Sequence, residues 1–495
     1  MAVPPPPTVP PPWAHCGVHA TPANPVGCSG RKVAPYDACL EHLTPDERHA
    51  YLSSIHPGDS VDHRGTTFTE QLLNELIERF RQDGRPRLGT AMFGWSRFTG
   101  PAKFGGAIFE GPARFSGAVF EDDARFDGAT FEATTQLGPM LCSKRFGLSG
   151  ANFAQPVKIE AAARSVECER TRWASRASLA VRYAELDLTD AIFENKVTVT
   201  TRESPWNTYL GPLAEGHFSG PVTAKVVSIS GIDAANLVLS GIDLSACSFT
   251  GSVNLDQIRL EGDVTLRRTP RGWIKVHGLP LRFTDRTILH EEASWRVRNY
   301  GDGSWGSVGA PDTPTPAVLT SLYRQLRKSF EDGKNEADAA DFYYGEMEMR
   351  RNDKTRARSE RGLLVAYWML SGYGLRATRC LAWLMLSMAA VTLLLAFWGL
   401  PLKDPSLVSE VKHPSAEAVV ITDREDLEPP SGPLRDRLTA TRLDKSVEVV
   451  LNSAIFRTSG QNLTTIGRYT EMTARIVNPA LLGLAILAVR NRIKR

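Results

Sequence analysis

Cysteine is scarce in this chain: seven residues among 495. They are too few and too scattered for a disulfide-built fold, which agrees with a reducing compartment. Net charge is scarce as well, at +3, so no nucleic-acid partner is expected. The stretch Met1 to Trp13 is almost all proline and valine. It has neither a basic start nor a continuous apolar core, so it lacks the layout of a secretory signal, and the bulk of the chain is expected to begin in the cytoplasm. Catalytic signatures are missing too. There is no phosphate-binding P-loop, no His-Glu-x-x-His and no Gly-x-Ser-x-Gly, and the ten histidines accompany no obvious nucleophile. The expectation is a chain that is not an enzyme, with hydrophobic residues at 42% leaving room for more than one folded unit.

A repeat is present instead. Phe93, Phe98, Phe104, Phe109, Phe115, Phe120, Phe126 and Phe131 recur at alternating steps of five and six. Alanine stands two residues before most of them, at 91, 102, 107, 113, 118, 124 and 129. Such a period fits neither a helix face near 3.6 nor a strand period of 2. It fits a chain that turns a corner every five residues, with one large and one small side chain per face pointing inward. The register returns with aliphatic residues at Ile229, Ala234, Leu239, Leu244, Phe249, Leu255, Leu260 and Leu266. Their partners two residues earlier are Val227, Ile232, Leu237, Ile242, Cys247, Val253, Ile258 and Val264. Tyr183, Leu188, Phe193 and Val199 bridge the two blocks.

On these residues the sequence resembles the pentapeptide-repeat family, and Ala-Ile-Phe-Glu-Asn at 191–195 shows its motif well. The resemblance covers roughly a third of the chain. It implies a mainly β fold, a right-handed quadrilateral β-helix of stacked coils of about 20 residues, each rising about 4.8 Å. The inward residues then serve folding alone, and any function belongs to an outer face. Residues 134–182 and 200–226 keep the period poorly and are expected to form loops or distorted coils. Some family members mimic DNA, which requires a strongly acidic surface. Residues 91–135 carry six carboxylates against four cations, which is a solvated face.

Before the repeat, Cys16, Cys28, Cys39 and His42 combine the thiolate and imidazole ligands of a structural zinc site. The outer gaps are long, and His15 and His19 compete as ligands, so structural Zn2+ and free cysteines stay open as alternatives. No other cofactor is expected. Thr44-Pro45-Asp46-Glu47 reads as a capping box with proline at the first helical position, predicting a helix to about Ser53. Thr67 with Glu70 repeats the signal before Phe68, Leu72, Leu73, Leu76, Ile77 and Phe80, predicting a second helix suited to cover the open end of the solenoid.

Gly301-Asp302-Gly303-Ser304-Trp305-Gly306 matches a dinucleotide-binding fingerprint after a strand-like Trp295 to Tyr300. The prolines at 311, 314 and 316 and the lack of a surrounding βαβ unit make it a linker instead. Leu319, Leu322, Tyr323, Leu326 and Phe330, then Ala337, Ala340, Phe342, Tyr343 and Met347, predict a helical hairpin similar to one tetratricopeptide unit, with Glu346 and Glu348 as surface charge.

Cys380 to Leu400 is 21 residues without a charge, enough to cross the roughly 30 Å hydrocarbon layer. Arg350, Arg351, Lys354, Arg356, Arg358, Arg361, Arg376 and Arg379 precede it and mark the cytoplasmic side. Ile476 to Val489 is a shorter apolar run that spans if its helix extends upstream or Arg475 snorkels. Between them an amphipathic helix over Val447, Val450, Leu451, Ala454 and Ile455 precedes Leu463-Thr464-Thr465-Ile466-Gly467, which is similar to the start of a potassium filter but continues into Arg468. From Tyr323 through Gly372-Tyr373-Gly374 to the basic end, the chain resembles membrane-anchored actinobacterial members of the repeat family.

The resulting organisation is a proline-rich tail (1–15), a zinc-type module (16–43), a helical N-cap (44–90), a solenoid (91–298), a linker (299–316), a cytoplasmic hairpin with a basic juxtamembrane segment (317–379) and a membrane region (380–495) with apolar helices at 380–400 and 476–489. The expected role is a scaffold that binds a cytoplasmic protein, held at the cell membrane as a multi-pass chain with its N-terminal and repeat domains in the cytoplasm. A homo-oligomer is an open arrangement, and a channel regulated by the solenoid is the alternative function.

Overall fold

The computed structural model describes residues 9–216, 218–270, 272–276, 279–282, 284–301, 305, 313–401, 433, 437–455 and 463–493. The first residues of the proline-rich tail, most of the linker and most of the loop after residue 401 therefore lie outside the described residues. The chain divides into two compact units, Met1–Met349 and Arg350–Arg495.

The first unit is built on a parallel β-solenoid with four rows of short strands. In the phenylalanine block, strand partners stand 22 residues apart: Ala91 beside Ala113, Arg97 beside Val119, Ala102 beside Ala124 and Ile108 beside Thr130. Two five-residue and two six-residue steps make up such a coil, which is why it exceeds the expected 20. Downstream the spacing falls to 20, with Asn152 beside Arg172 and Val157 beside Ala177. The corners alternate accordingly. Those of the five-residue steps carry a residue at positive φ (Trp95, Gly106, Gly117, Gly128, Gly150). At one of them only glycine fits, because a Cβ on Gly117 would come within 2.6 Å of the Trp95 indole.

Every phenylalanine of the block is buried, as are the seven alanines. The constant coil length places like on like. Phe93 stacks on Phe115, Phe104 on Phe126, Phe109 on Phe131, then Phe131 on Phe153 and Phe153 on Trp173, with centroids 4.6–5.4 Å apart. Leu239, Leu244, Phe249 and Leu255 are buried in the aliphatic block, and Leu260 is partly buried against the same core. Outside, ion pairs join neighbouring coils: Arg87 to Glu110, Lys144 to Asp122 and Arg145 to both Asp127 and Glu167.

Several expectations change. Residues 134–182 are not loops but distorted coils, with long strands Thr135–Gly147 and Val157–Glu167 whose register shifts between Leu137 and Met140 and between Cys142 and Arg145, and whose inward positions hold Leu137, Met140, Cys142, Ile159, Ala161 and Ala163. The period was hidden there because small residues and methionine fill the phenylalanine positions. Residues 202–222 do leave the solenoid, since Val197 pairs with Leu237 across the excursion. Trp206 from this loop packs on the outward side chains of Leu141 and Ala162. Val253 is 53% exposed and Ser252 takes the inward position, while Val226 rather than Val227 is buried. Tyr183 also turns outward, stacking on Phe218 of the loop.

Parallel pairing begins at Val61, one coil before residue 91, and runs to Thr265. Helix α1 (Pro45–Ser53) has the capping box read from the sequence, the Thr44 N–H donating to Glu47 Oε2 at 3.0 Å. Helix α2 (Glu70–Arg79) starts from Thr69, not Thr67, because Thr67–Phe68 is a strand paired with Arg97–Phe98. It stands within the first coil, over the strand Ala102–Lys103, where Lys103 reaches Glu70 at 2.5 Å. The rest of that end is covered by the N-terminal module: Arg31 N–H donates to Arg64 O at 2.8 Å, and Thr67 N–H to Glu41 Oε2 at 3.3 Å.

The other end is closed by helices. Trp295 to Tyr300 is not a strand but the end of α3 (His290–Tyr300), and Gly301, at φ 65°, terminates that helix. Glycine ends a helix there, so the fingerprint fails at its first position. α4 (Pro316–Asp332) and α5 (Glu336–Asn352) form the hairpin, with Leu319, Leu322, Tyr323, Leu326, Phe330, Phe342 and Met347 buried and Ala337 exposed. α4 lies on the last coil: Gln325 Oε1 accepts Leu255 N–H at 3.2 Å, Ser329 Oγ donates to Ile258 O at 2.7 Å and Lys328 pairs with Asp256. From α3, Glu291 accepts the Phe249 N–H. The solenoid's last backbone groups thus find side-chain partners.

Glu346 and Glu348 are buried rather than surface charge. Glu346 pairs with Arg324 and Arg327, and Glu348 with Arg296. Arg296 and Arg286 meet at Glu292, at 2.7 and 2.5 Å, and the Tyr323 hydroxyl donates to the same carboxylate. Burial would raise the Glu292 carboxyl, but the Arg286 and Arg296 charges outweigh it and hold it down at about 2. The helical share, α3 to α5 here and the whole second unit, means that the chain is a β-solenoid with large helical additions rather than mainly β.

In the second unit, α6 (Arg358–Ser371) is followed by α7 (Ala377–Leu394), which runs on as a π-helical turn to Gly399, then α8 (Ala440–Ile455) and α9 (Thr465–Ile493). Ala377–Gly399 and Thr465–Arg490 are long and apolar enough to cross a membrane, and only 17% and 28% of their most apolar windows are buried within the chain. The second apolar run thus belongs to a helix extended upstream. α7 and α9 pack closely: a Cβ on Gly467 would meet Gly399 O at 2.3 Å, and Ser387 Oγ donates to Asn478 Oδ1 at 2.8 Å. Arg442 of α8 donates to the carbonyls of Ala396, Leu400 and Pro401 that end the α7 segment. The similarity of Thr464 to Gly467 to a filter does not survive. Thr465 begins α9, and Thr464 O accepts the Arg468 N–H at 2.9 Å, so these carbonyls are turned along a helix instead of towards a pore axis.

Candidate metal centre

The chain between Cys16 and Gly30 doubles back on itself. Cys16 N–H donates to Gly30 O, Gly17 N–H to Cys28 O and Cys28 N–H to Val18 O, at 2.8–2.9 Å. This brings Cys16 and Cys28 side by side. The turn from Cys39 to His42, closed by His42 N–H to Cys39 O at 2.9 Å, delivers the other two groups just before α1. Gly30 lies between the halves, where a Cβ would come within 2.8 Å of Cys39 Sγ and 3.3 Å of Cys28 Sγ. Glycine is required there because the space belongs to the sulfurs.

The ligand atoms of Cys16, Cys28, Cys39 and His42 all lie within 4.8 Å of one another. Cys28 Sγ and Cys39 Sγ are 3.7 Å apart, and Cys39 Sγ is 3.3 Å from His42 Nδ1. Zn–S bonds of about 2.3 Å at tetrahedral angles require an S–S edge of about 3.8 Å, and the S–N edge is slightly shorter. A disulfide needs about 2.05 Å, and all seven cysteines are free thiols. The Gly30 N–H points at Cys28 Sγ at 3.4 Å, the kind of backbone donor that stabilises a ligating thiolate. Hydrogen bonding from Cys28, then burial, push the Cys39 thiol well up. A dication among the sulfurs reverses that preference. The four residues therefore fit a structural Zn2+, which would close the module by tying its two halves together.

Neither competing histidine joins the set. His15 pairs along the backbone with Arg31, and the His19 ring stands edge-on to His42 with centroids 5.5 Å apart. Sequence reasoning missed what seats the module on the solenoid: Arg31 and Arg64 both pair with Asp62, and the Arg64 guanidinium lies 4.9 Å from the Trp13 ring. Only the folded first coil brings Asp62 there.

No curated protein and no solved structure matches the chain. A family model described as Pentapeptide repeats (9 copies) matches residues 96–138. Proteins with these repeats are structural and scaffold proteins, which accords with a chain that is not an enzyme. Over residues 96–138 the stacked coils read from the sequence and seen in the fold are thus matched by pentapeptide repeats.

Proposed function

We propose that this protein is a non-catalytic interaction scaffold tethered to a membrane, with the lateral faces of the solenoid as its docking surface for a cytoplasmic protein. The observation that carries it is the closure of both ends. The zinc-type module with α2 covers the first coil, and α3 with α4 covers the last, so among the described residues both ends carry a cover against end-to-end growth. What remains available is the lateral surface of the coils, apart from the patch over Leu141 and Ala162 that Trp206 of the 202–222 loop covers. α7 and α9, long and apolar enough to cross a membrane, are the tether in this reading, and the cations between Arg350 and Arg379 favour the cytoplasmic side of the cell membrane for the repeat domain.

Full-length protein should stay with membranes through alkaline carbonate extraction, and a proximity-labelling enzyme fused to its N-terminus should mark cytoplasmic proteins reproducibly. Release into the supernatant would remove the tether. Labelling no different from a membrane-bound control would remove the scaffold role.

A further inference from the structure

α6 is unlike a surface helix in water. It opens Arg-Ser-Glu-Arg and continues Gly-Leu-Leu-Val-Ala-Tyr-Trp-Met-Leu-Ser. Leu363 is 70% exposed, Met369 45% and Val365 39%, with Gly362 and Ala366 exposed among them. Positions 362, 363, 366 and 369 recur at helical spacing, so they form one apolar face, while Leu364 and Ser371 are buried on the other. Fourteen residues reach only about 21 Å, well short of the roughly 30 Å needed to cross. α6 is therefore not a third span.

Its position relative to α7 is fixed locally. Gly372, Tyr373 and Gly374 all have positive φ, reversing the chain at once. Trp383 of α7 donates to Met369 O at 3.1 Å, and Arg379 donates to Trp368 O at 3.2 Å. The last turn of α6 is thus held at the depth where α7 begins, the headgroup boundary if α7 spans.

Charge supplies the second observation. Residues 350–379 hold eight Arg and Lys against Asp353 and Glu360. Glu360 is already shared by Arg350 and Arg356. Arg351 and Arg379 converge on one indole, their guanidinium carbons 4.5 and 5.2 Å from the Trp368 ring centre. Two guanidiniums gathered on one ring present several N–H donors in one place, the arrangement that suits a phosphate. An amphipathic helix with basic flanks is the form that lies in an anionic lipid surface.

We propose that α6 is an in-plane interfacial helix, with Leu363, Val365, Ala366 and Met369 in the acyl layer and Arg351, Trp368 and Arg379 holding the phosphate of an anionic phospholipid. This rests on α7 and α9 being membrane spans, and it adds a lipid preference that spans alone do not give.

The test uses full-length protein in nanodiscs of mixed phosphatidylcholine and phosphatidylglycerol, with a photoactivatable diazirine amino acid at position 363 or, as control, at buried position 364. The probe at 363 should cross-link acyl chains and the probe at 364 should not. The ratio of phosphatidylglycerol to phosphatidylcholine among captured lipids, divided by that ratio in the mixture, should be about five, the factor that one cation near an anionic surface supplies. Arg351→Gln with Arg379→Gln should bring that ratio to about one. Arg351→Lys with Arg379→Lys should retain an excess, which separates charge from misfolding. Carbonate-resistant protein whose 363 probe captures water instead of lipid would overturn the in-plane helix and leave the spans standing. Carbonate-extractable protein would overturn both. Acyl capture at 363 without anionic preference would overturn the phosphate site.

Discussion

The rings of Phe98 and Phe120 lie 4.5 Å apart and within 4° of parallel, one full coil from each other in sequence. That spacing is the coil rise itself, since parallel strands sit about 4.8 Å apart. Each phenylalanine is therefore held by the coil above and the coil below.

Phe104 contacts the rings of Phe93, Phe98, Phe109, Phe115 and Phe126. Phe104→Ala should cost about 3–5 kcal/mol, because the stacked coils cannot close on the void. Lys103→Ala, at the neighbouring exposed position, should change stability by less than about 1 kcal/mol. Thermal denaturation of the two variants beside wild type measures the difference.

Metal analysis of purified protein should return about one zinc per chain. Cys39→Ser should abolish it, and acidification should release it as the thiols take up protons. Protection of residues 16–43 from protease should fall in parallel. A folded, protease-resistant module without metal would end the assignment.

Two buried groups set opposing pH limits. His63, at the head of the Phe93 column, has its pKa pushed down by burial to about 4. Its contribution is complete above about 6.5 and is lost as pH falls through 4. Glu291 is pushed up by burial to about 7. Its contribution is complete below about 4.5 and is lost as pH rises through 7. Each limb is on the order of 3 kcal/mol. In denaturant titrations across pH, His63→Phe should flatten the acid limb and Glu291→Gln the neutral-to-alkaline limb.

The excursion over 202–222 depends on Arg182. Its buried guanidinium donates to Glu215, 3.0 Å away, and to the carbonyls of Arg202 and Glu203. Arg182→Met should leave Glu215 without its cation at a cost of about 3–5 kcal/mol. Cleavage between residues 203 and 221 in limited proteolysis should accelerate while the solenoid itself stays intact. Equal rates would show that Trp206 alone secures the loop.

The coils were legible where one residue type marks one face, as Phe93 to Phe131 do, and illegible where Met140, Ala161 and Ala163 take the same inward places. The metal-type set was legible as four residue types, whereas the exclusion of His15 and His19 needed the folded hairpin. α6 escaped notice because fourteen apolar-rich residues beside a longer apolar run read as part of its flank.

The sequence alone determined the repeat, the capping box at Thr44 and the long apolar runs, since each depends on residues a few positions apart or on one coil meeting the next. The tertiary structure alone decided the closure of the last coil by α3 and α4, the pairing of Arg286 with Glu292 and the burial of Glu346 and Glu348. Charged residues on a helix look the same in sequence whether water or a partner guanidinium compensates them. Only packing against another element, tens of residues away, tells the two apart.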